Sequence, residues 1–168
     1  LHDALPISIR GQPLLDPGLN RPLNGMNSGM ERSFVAKKKF LFCNYEFPPV
    51  GGGGGTCSRY LARELVQRGH EVEVVTAHWG NLPRKVEKGR FTLRRIRGYR
   101  RRPGQSNPIE MMAYVLTAFP YLLLRGGPKP DAIVSFHSIP SGMPAWPLSM
   151  LWGVPHIILF QGGDIPGW

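Results

Sequence analysis

The chain has 168 residues, 21 Lys and Arg against 11 Asp and Glu, a net charge of +10 and a hydrophobic share of 42%. That length fits one domain of ordinary size, and that much apolar content excludes a wholly disordered chain. Its 21 glycines and 17 prolines imply many turns without a collagen period, and two cysteines, Cys43 and Cys57, are too few for a disulfide framework, which favours a reducing, intracellular setting.

Residues 1–33 show no sustained hydrophobic period, and Pro6, Pro13, Pro17 and Pro22 break any helix longer than a turn or two. This stretch reads as a disordered or non-native extension. Residue 1 is Leu, and Met26 or Met30 would serve as a natural start. Residues 34–168 then form the domain proper.

Residues 40–43, Phe-Leu-Phe-Cys, are a short continuous apolar run, as in a strand buried on both faces. A Pro48-Pro49 turn and five glycines follow, Gly51, Gly52, Gly53, Gly54 and Gly55. A helical pattern covers 56–68, with Cys57, Tyr60, Leu61, Leu65 and Val66 on one face, Thr56 as its cap, Glu64 and Arg68 at i,i+4 and Gly69 closing it. Residues 71–77 are a valine-rich second strand, so strand, glycine loop, helix and strand make a βαβ unit.

From Arg84 to Arg102 ten basic residues face one acid, Glu87, so nearly all the net charge is local. Arg94, Arg95, Arg97, Arg100, Arg101 and Arg102 are the core of this expected basic surface. Such a stripe attracts phosphates on lipid head groups or nucleic acid, and it also reads as a solvated strand and loop. Residues 91–96 are a third strand whose imperfect alternation suits a sheet edge. Residues 109–124 are a strongly apolar helix, kinked or ended near Pro120; it reads as a core helix, or as one that docks with the basic stripe onto an anionic membrane. At 14 residues the apolar run 111–124 is shorter than the ~18–20 a spanning helix needs.

Residues 131–136 are a fourth strand, 140–153 a helix with awkward prolines, and 156–160 a fifth strand. Trp146 and Trp152 are expected in the core. Alternating strands and helices predict an α/β fold with a doubly wound, Rossmann-like parallel sheet in the order 3-2-1-4-5. Ligands should then bind at the carboxyl ends of strands one and four, where the order reverses. The glycine loop, His137 and the Gly162-Gly163-Asp164 loop fall along that rim.

Glycines between a strand and a helix allow close backbone approach, and the helix start favours an anion. No lysine follows Gly55, which excludes a Walker A loop; Thr56 replaces the third glycine of a dinucleotide fingerprint, and Thr76-Ala77-His78 supplies no acid after the second strand. A tight turn without a ligand stays open. The five histidines have no metal-ligand spacing, so no metal is expected, and Ser138 and Ser141 lack a nucleophile elbow.

The segment FLFCNYEFPPVGGGGGTCSRYLARELVQRGHEVEVVTA resembles the start of family-four glycosyltransferases of the GT-B fold, and DAIVSFHSIPSG and GVPHIILFQGGDIPGW resemble two later strands of that N-terminal domain. The Pro-Pro turn, the glycine run and Gly69-His70-Glu71-Val72 are the specific parts. The resemblance implies a two-domain enzyme, with acceptor bound mainly by this N-terminal domain and nucleotide-sugar by an absent C-terminal one. Transfer would occur in the cleft between them, usually with retention and without an essential metal. The chain would be an incomplete fragment, inactive alone, with no cofactor beyond the nucleotide-sugar co-substrate. The implied acceptor is lipid-linked or a cell-envelope glycan, and the implied place is the cytoplasm, peripheral at the inner face of the membrane.

By the same resemblance, Gly51 to Gly55 approach the donor diphosphate and the acceptor, and His137, Gln161, Gly162 and Gly163 contact the acceptor. Gln161 stands where many relatives carry a histidine, and glutamine is neither acid nor base. Asp164 is then the nearest ionisable group, able to orient an acceptor hydroxyl or sense positive charge, or merely to cap a helix. The donor phosphate itself can accept the proton in this family. The alternative class is a non-catalytic α/β module that binds nucleic acid or an anionic membrane through the basic stripe; Phe91 and Tyr99 are the few aromatics beside it.

Overall fold

Continuous apolar runs with β-branched residues become central strands, because only a strand covered on both faces can bury every side chain. The computed structural model describes residues 36–102 and 104–161. In it β1 (Lys39–Asn44), β2 (Glu71–Ala77), β4 (Phe91–Ile96), β5 (Ala132–Phe136) and β6 (His156–Leu159) are mutually parallel, and β3 (Lys85–Lys88) runs antiparallel to β4. The sheet order is β3-β4-β2-β1-β5-β6. Helices α1 (Gly53–Gln67), α2 (Pro108–Leu124) and α3 (Met143–Trp152) connect the parallel strands. This is the expected α/β Rossmann-like fold, and the five parallel strands keep the expected order. The expected boundary near residue 33 lies outside the described residues.

Phe42 pairs in register with Val74 on one side and Val134 on the other, and all three are buried. Its ring sits 5.2 Å from that of Phe136. Each such buried side chain stabilises the fold by about 1.5–3 kcal/mol. On one face of the sheet Leu41, Val75, Ile96 and Ile133 pack with Tyr114, Ala118 and Leu122 of α2 and Leu148 of α3.

Four local expectations are corrected. Residues 91–96 are not an edge, because Lys85–Lys88 folds back and pairs outside them; a four-residue strand with one apolar residue, Val86, leaves little periodic signal. Helix α1 starts at Gly53, so Thr56 lies within its first turn and the N-cap is Gly52. Its buried face is Gly54, Gly55, Ser58 and Ala62, while Cys57 and Tyr60 are exposed. Small residues let the helix lie close to the sheet, and that closeness outweighs burial of the larger side chains. Trp146 is exposed, whereas Trp152 packs against the core.

Other local signals hold. Gly69 takes φ +90° after α1, with its N–H on Val66 O (3.0 Å) and that of His70 on Leu65 O (3.0 Å). Glu64 and Arg68 pair at 3.4 Å. Helix α2 continues through Pro120 to Leu124; Asn107 caps it, its side chain accepting from Glu110 N–H at 2.9 Å. The α3 prolines, Pro144 and Pro147, are both accommodated, Pro144 in the first turn where its missing N–H costs nothing.

Candidate functional site

The chain passes from β1 to β2 and β4 on one side, then crosses through α2 to β5 on the other side of β1. The carboxyl ends of β1 and β5 are therefore the point where the connecting loops diverge in opposite directions, the place where sheets of this kind bind ligands. Asn44 ends β1 and His137 follows β5.

Asn44 is fully buried and ties the glycine loop to the sheet. Its Nδ2 donates to Gly54 O (3.2 Å) and Ser58 Oγ (2.8 Å), and its Oδ1 accepts from Glu46 N–H (3.1 Å). Ser58 Oγ in turn donates to Gly55 O (2.8 Å). A Cβ on Gly55 would stand 3.3 Å from the carbonyl oxygens of Glu46 and Val50, a tight contact that the backbone would have to ease. Gly51 adopts φ +95° over the Glu46 side chain.

Gly52 and Gly53 are exposed and open. The N–H groups of a helix's first turn have no acceptor inside the helix; in α1 the N-cap, Gly52, has no side chain to offer them, and its own N–H is met by Glu46. Together with the helix dipole they form a positive end that suits a phosphate. The imidazole of His137 lies directly against Gly54. His137 has φ +75° and ψ 146°, a conformation costly for any residue with a Cβ. It is held by its N–H on Leu159 O (3.1 Å), and Ser141 Oγ accepts from Tyr45 N–H (2.9 Å), joining the β1 exit to the wide turn Ser138–Gly142.

Glu46 links this loop to the chain after β4. One carboxylate oxygen accepts from Gly52 N–H (3.0 Å), the other from Arg100 Nη2 (3.0 Å). Arg100 Nε also donates to Arg102 O (2.9 Å), and its guanidinium stands 4.9 Å from the Tyr45 ring centre. Burial, only partly offset by Arg100, pushes the Tyr45 hydroxyl above its ordinary value. Next along the rim, Arg101, Arg102, Gln105, Ser106, Asn107 and Glu110 line a cavity of about 270 Å³ at the start of α2.

The structure thus brings Gly51 to Gly55 and His137 together. Gln161 lies just beyond β6, half-buried. Gly162, Gly163 and Asp164 lie outside the described residues. The expected basic surface is corrected: Arg95 and Arg100 are buried, and Arg94 donates to Glu73 (2.7 Å), which also pairs with Arg125. Only Arg97, Arg101 and Arg102 of that set are exposed. Burial alone would raise Glu73, but Arg125 and Arg94 outweigh it and hold its carboxyl below the ordinary range. Burial drives Cys43 up to about 12, which keeps it an inert thiol.

Asn44, Glu46 and Ser58 were not among the residues expected at the site, and Arg100 was expected on an exposed basic surface, not buried against Glu46. A polar residue closing an apolar strand was the available signal for Asn44. Arg100 was hidden among like residues, because burial is not written in a run of arginines.

The family described as "Glycosyl transferase 4-like domain" matches residues 52–168. No curated protein matches the chain in sequence. Two solved structures of sucrose-phosphate synthase from Thermosynechococcus elongatus are similar in fold. One has a TM-score of 0.55 and 14% identity over 76% of this chain and 65% of its own. The other has 0.51 and 18% over 74% of this chain and 32% of its own. The chain therefore spans less than two thirds of either. Among the described residues no helix is long and apolar enough to cross a membrane.

Proposed function

The chain belongs to the glycosyl transferase 4-like domain family, and from that premise we propose that it is the acceptor-side half of an enzyme transferring a hexosyl group from a nucleotide-sugar to a hydroxyl acceptor. The observation that carries the reading is the contact of His137 with Gly54 at the switch point, beside the glycine-rich start of α1. A diphosphate would meet the positive helix end there, and an acceptor would lie along His137 and Gln161. In the reaction the acceptor oxygen bonds to the anomeric carbon as the bond from that carbon to the phosphate oxygen breaks. The leaving diphosphate takes the electron pair, and the helix end and its N–H groups stabilise the charge that develops. The hydroxyl proton passes to the departing phosphate oxygen, or to Asp164. The acceptor class we assign is a lipid-linked or cell-envelope glycan, made on the cytoplasmic side.

The test is release of nucleoside diphosphate from uridine- and guanosine-diphosphate sugars by the product of the full reading frame, offered mixed glycan acceptors. Turnover is expected with one donor, and His137→Ala should lower kcat about 10-fold or more. Absence of release with every donor would overturn the reading.

A further inference from the structure

Helix α2 is apolar on both faces. Glu110, Tyr114, Ala118 and Leu122 point inward and are buried. The opposite side carries Ile109, Met112, Leu116, Phe119 and Leu123, all exposed, with Ile109 at 80% and Leu116 at 71%. Their spacing of three and four residues makes one straight stripe along the whole helix. A helix lying on one face of a sheet ordinarily turns polar residues outward, so the stripe calls for a cover. Its only acid, Glu110, is turned in and accepts from Arg101 N–H at 3.2 Å.

Exposed cations border the stripe. Thr117 Oγ1 donates to Arg97 O (2.9 Å), which sets Arg97 beside the middle of the helix. Arg84, Lys85 and Arg97 line, with Thr117 and Tyr121, a groove of about 340 Å³ along its flank. Arg101 and Arg102 stand at its start and Lys129 near its end. The one acid on the groove's outer strand, Glu87, is paired with Lys85 at 2.7 Å.

We infer that α2 and its bordering arginines form a docking surface for an anionic lipid bilayer, the stripe entering the interface while Arg97, Arg101 and Arg102 meet the head groups. An apolar stripe edged by cations matches the layering of a charged bilayer, acyl region inside and phosphate outside. The inference goes beyond the transfer reaction, since binding to lipid needs neither donor nor acceptor.

The experiment is co-sedimentation of the product of the full reading frame with vesicles of equimolar phosphatidylglycerol and phosphatidylcholine, and with phosphatidylcholine alone. The chain should pellet with the first and stay in solution with the second. Leu116→Glu should lower partitioning at least about 10-fold, as should the triple change Arg97→Glu, Arg101→Glu and Arg102→Glu. All four positions are exposed, and unchanged circular dichroism checks that each variant folds. Failure to pellet, equal binding to neutral vesicles, or Leu116→Glu binding like the parent would overturn the inference. So would a dimer in solution that Leu116→Glu dissociates, since a second copy would then be the cover.

Discussion

His137 and Gly54 pack so closely that a Cβ on residue 54 would stand 2.5 Å from the imidazole Cε1. Neither residue is close in sequence to the other, and the contact exists only because β1 and β5 are neighbours in the sheet.

Gly54→Ala should therefore displace the imidazole and, because that ring is the movable end of a half-buried side chain, cost no more than about 1 kcal/mol of stability. Gly53→Ala, one residue away with nothing within 4 Å, should leave stability unchanged or raise it by less than about 1 kcal/mol. Urea midpoints of the two variants give the comparison; equal effects would contradict the packing described.

At His137 the backbone angle φ +75° is tolerable for glycine and strained for histidine. His137→Gly is expected to stabilise the chain by about 1 kcal/mol while abolishing its part in transfer. Thermal melting set beside the turnover assay checks both halves of this trade.

Glu46 partners Arg100, whose side chain is entirely buried, while the Glu46 side chain keeps 20% of its surface. Glu46→Ala should cost about 2–4 kcal/mol, below the full loss for a wholly buried pair, and Glu46→Gln less because it still accepts from Gly52 N–H. Hydrogen exchange should show the glycine loop opening more in Glu46→Ala than the central strand β2.

The carboxyl of Glu73 is held below its ordinary value near 4.5 despite burial, because Arg125 and Arg94 flank it. A depressed carboxyl contributes its full stability above the unfolded value and loses it as pH falls through the folded one. Stability should be level near neutrality and fall once pH drops below about 4.5. Glu73→Gln should flatten that acid limb, read from urea unfolding at stepped pH.

Much of the fold was legible in the chain. Residues 40–43 are a continuous apolar run and 71–77 a valine-rich one, both buried as central strands, and Gly69 marks a helix end by conformational need alone. The antiparallel Lys85–Lys88 strand was not legible, since its four residues carry no period. Nor was the inner face of α1: hydrophobicity singled out Cys57 and Tyr60, but steric closeness selected Gly54, Ser58 and Ala62.

The order of residues determined the strands, the crossovers and the glycine loop, because periodicity and backbone freedom are local properties. Which arginines sink and which face solvent was decided by tertiary structure: Arg100 and Arg102 are chemically alike, and only the arrival of Glu46 and Tyr45 beside one of them makes burial affordable. The meeting of His137 with Gly54 was decided in the same way, by a sheet order that joins distant stretches of chain at one rim.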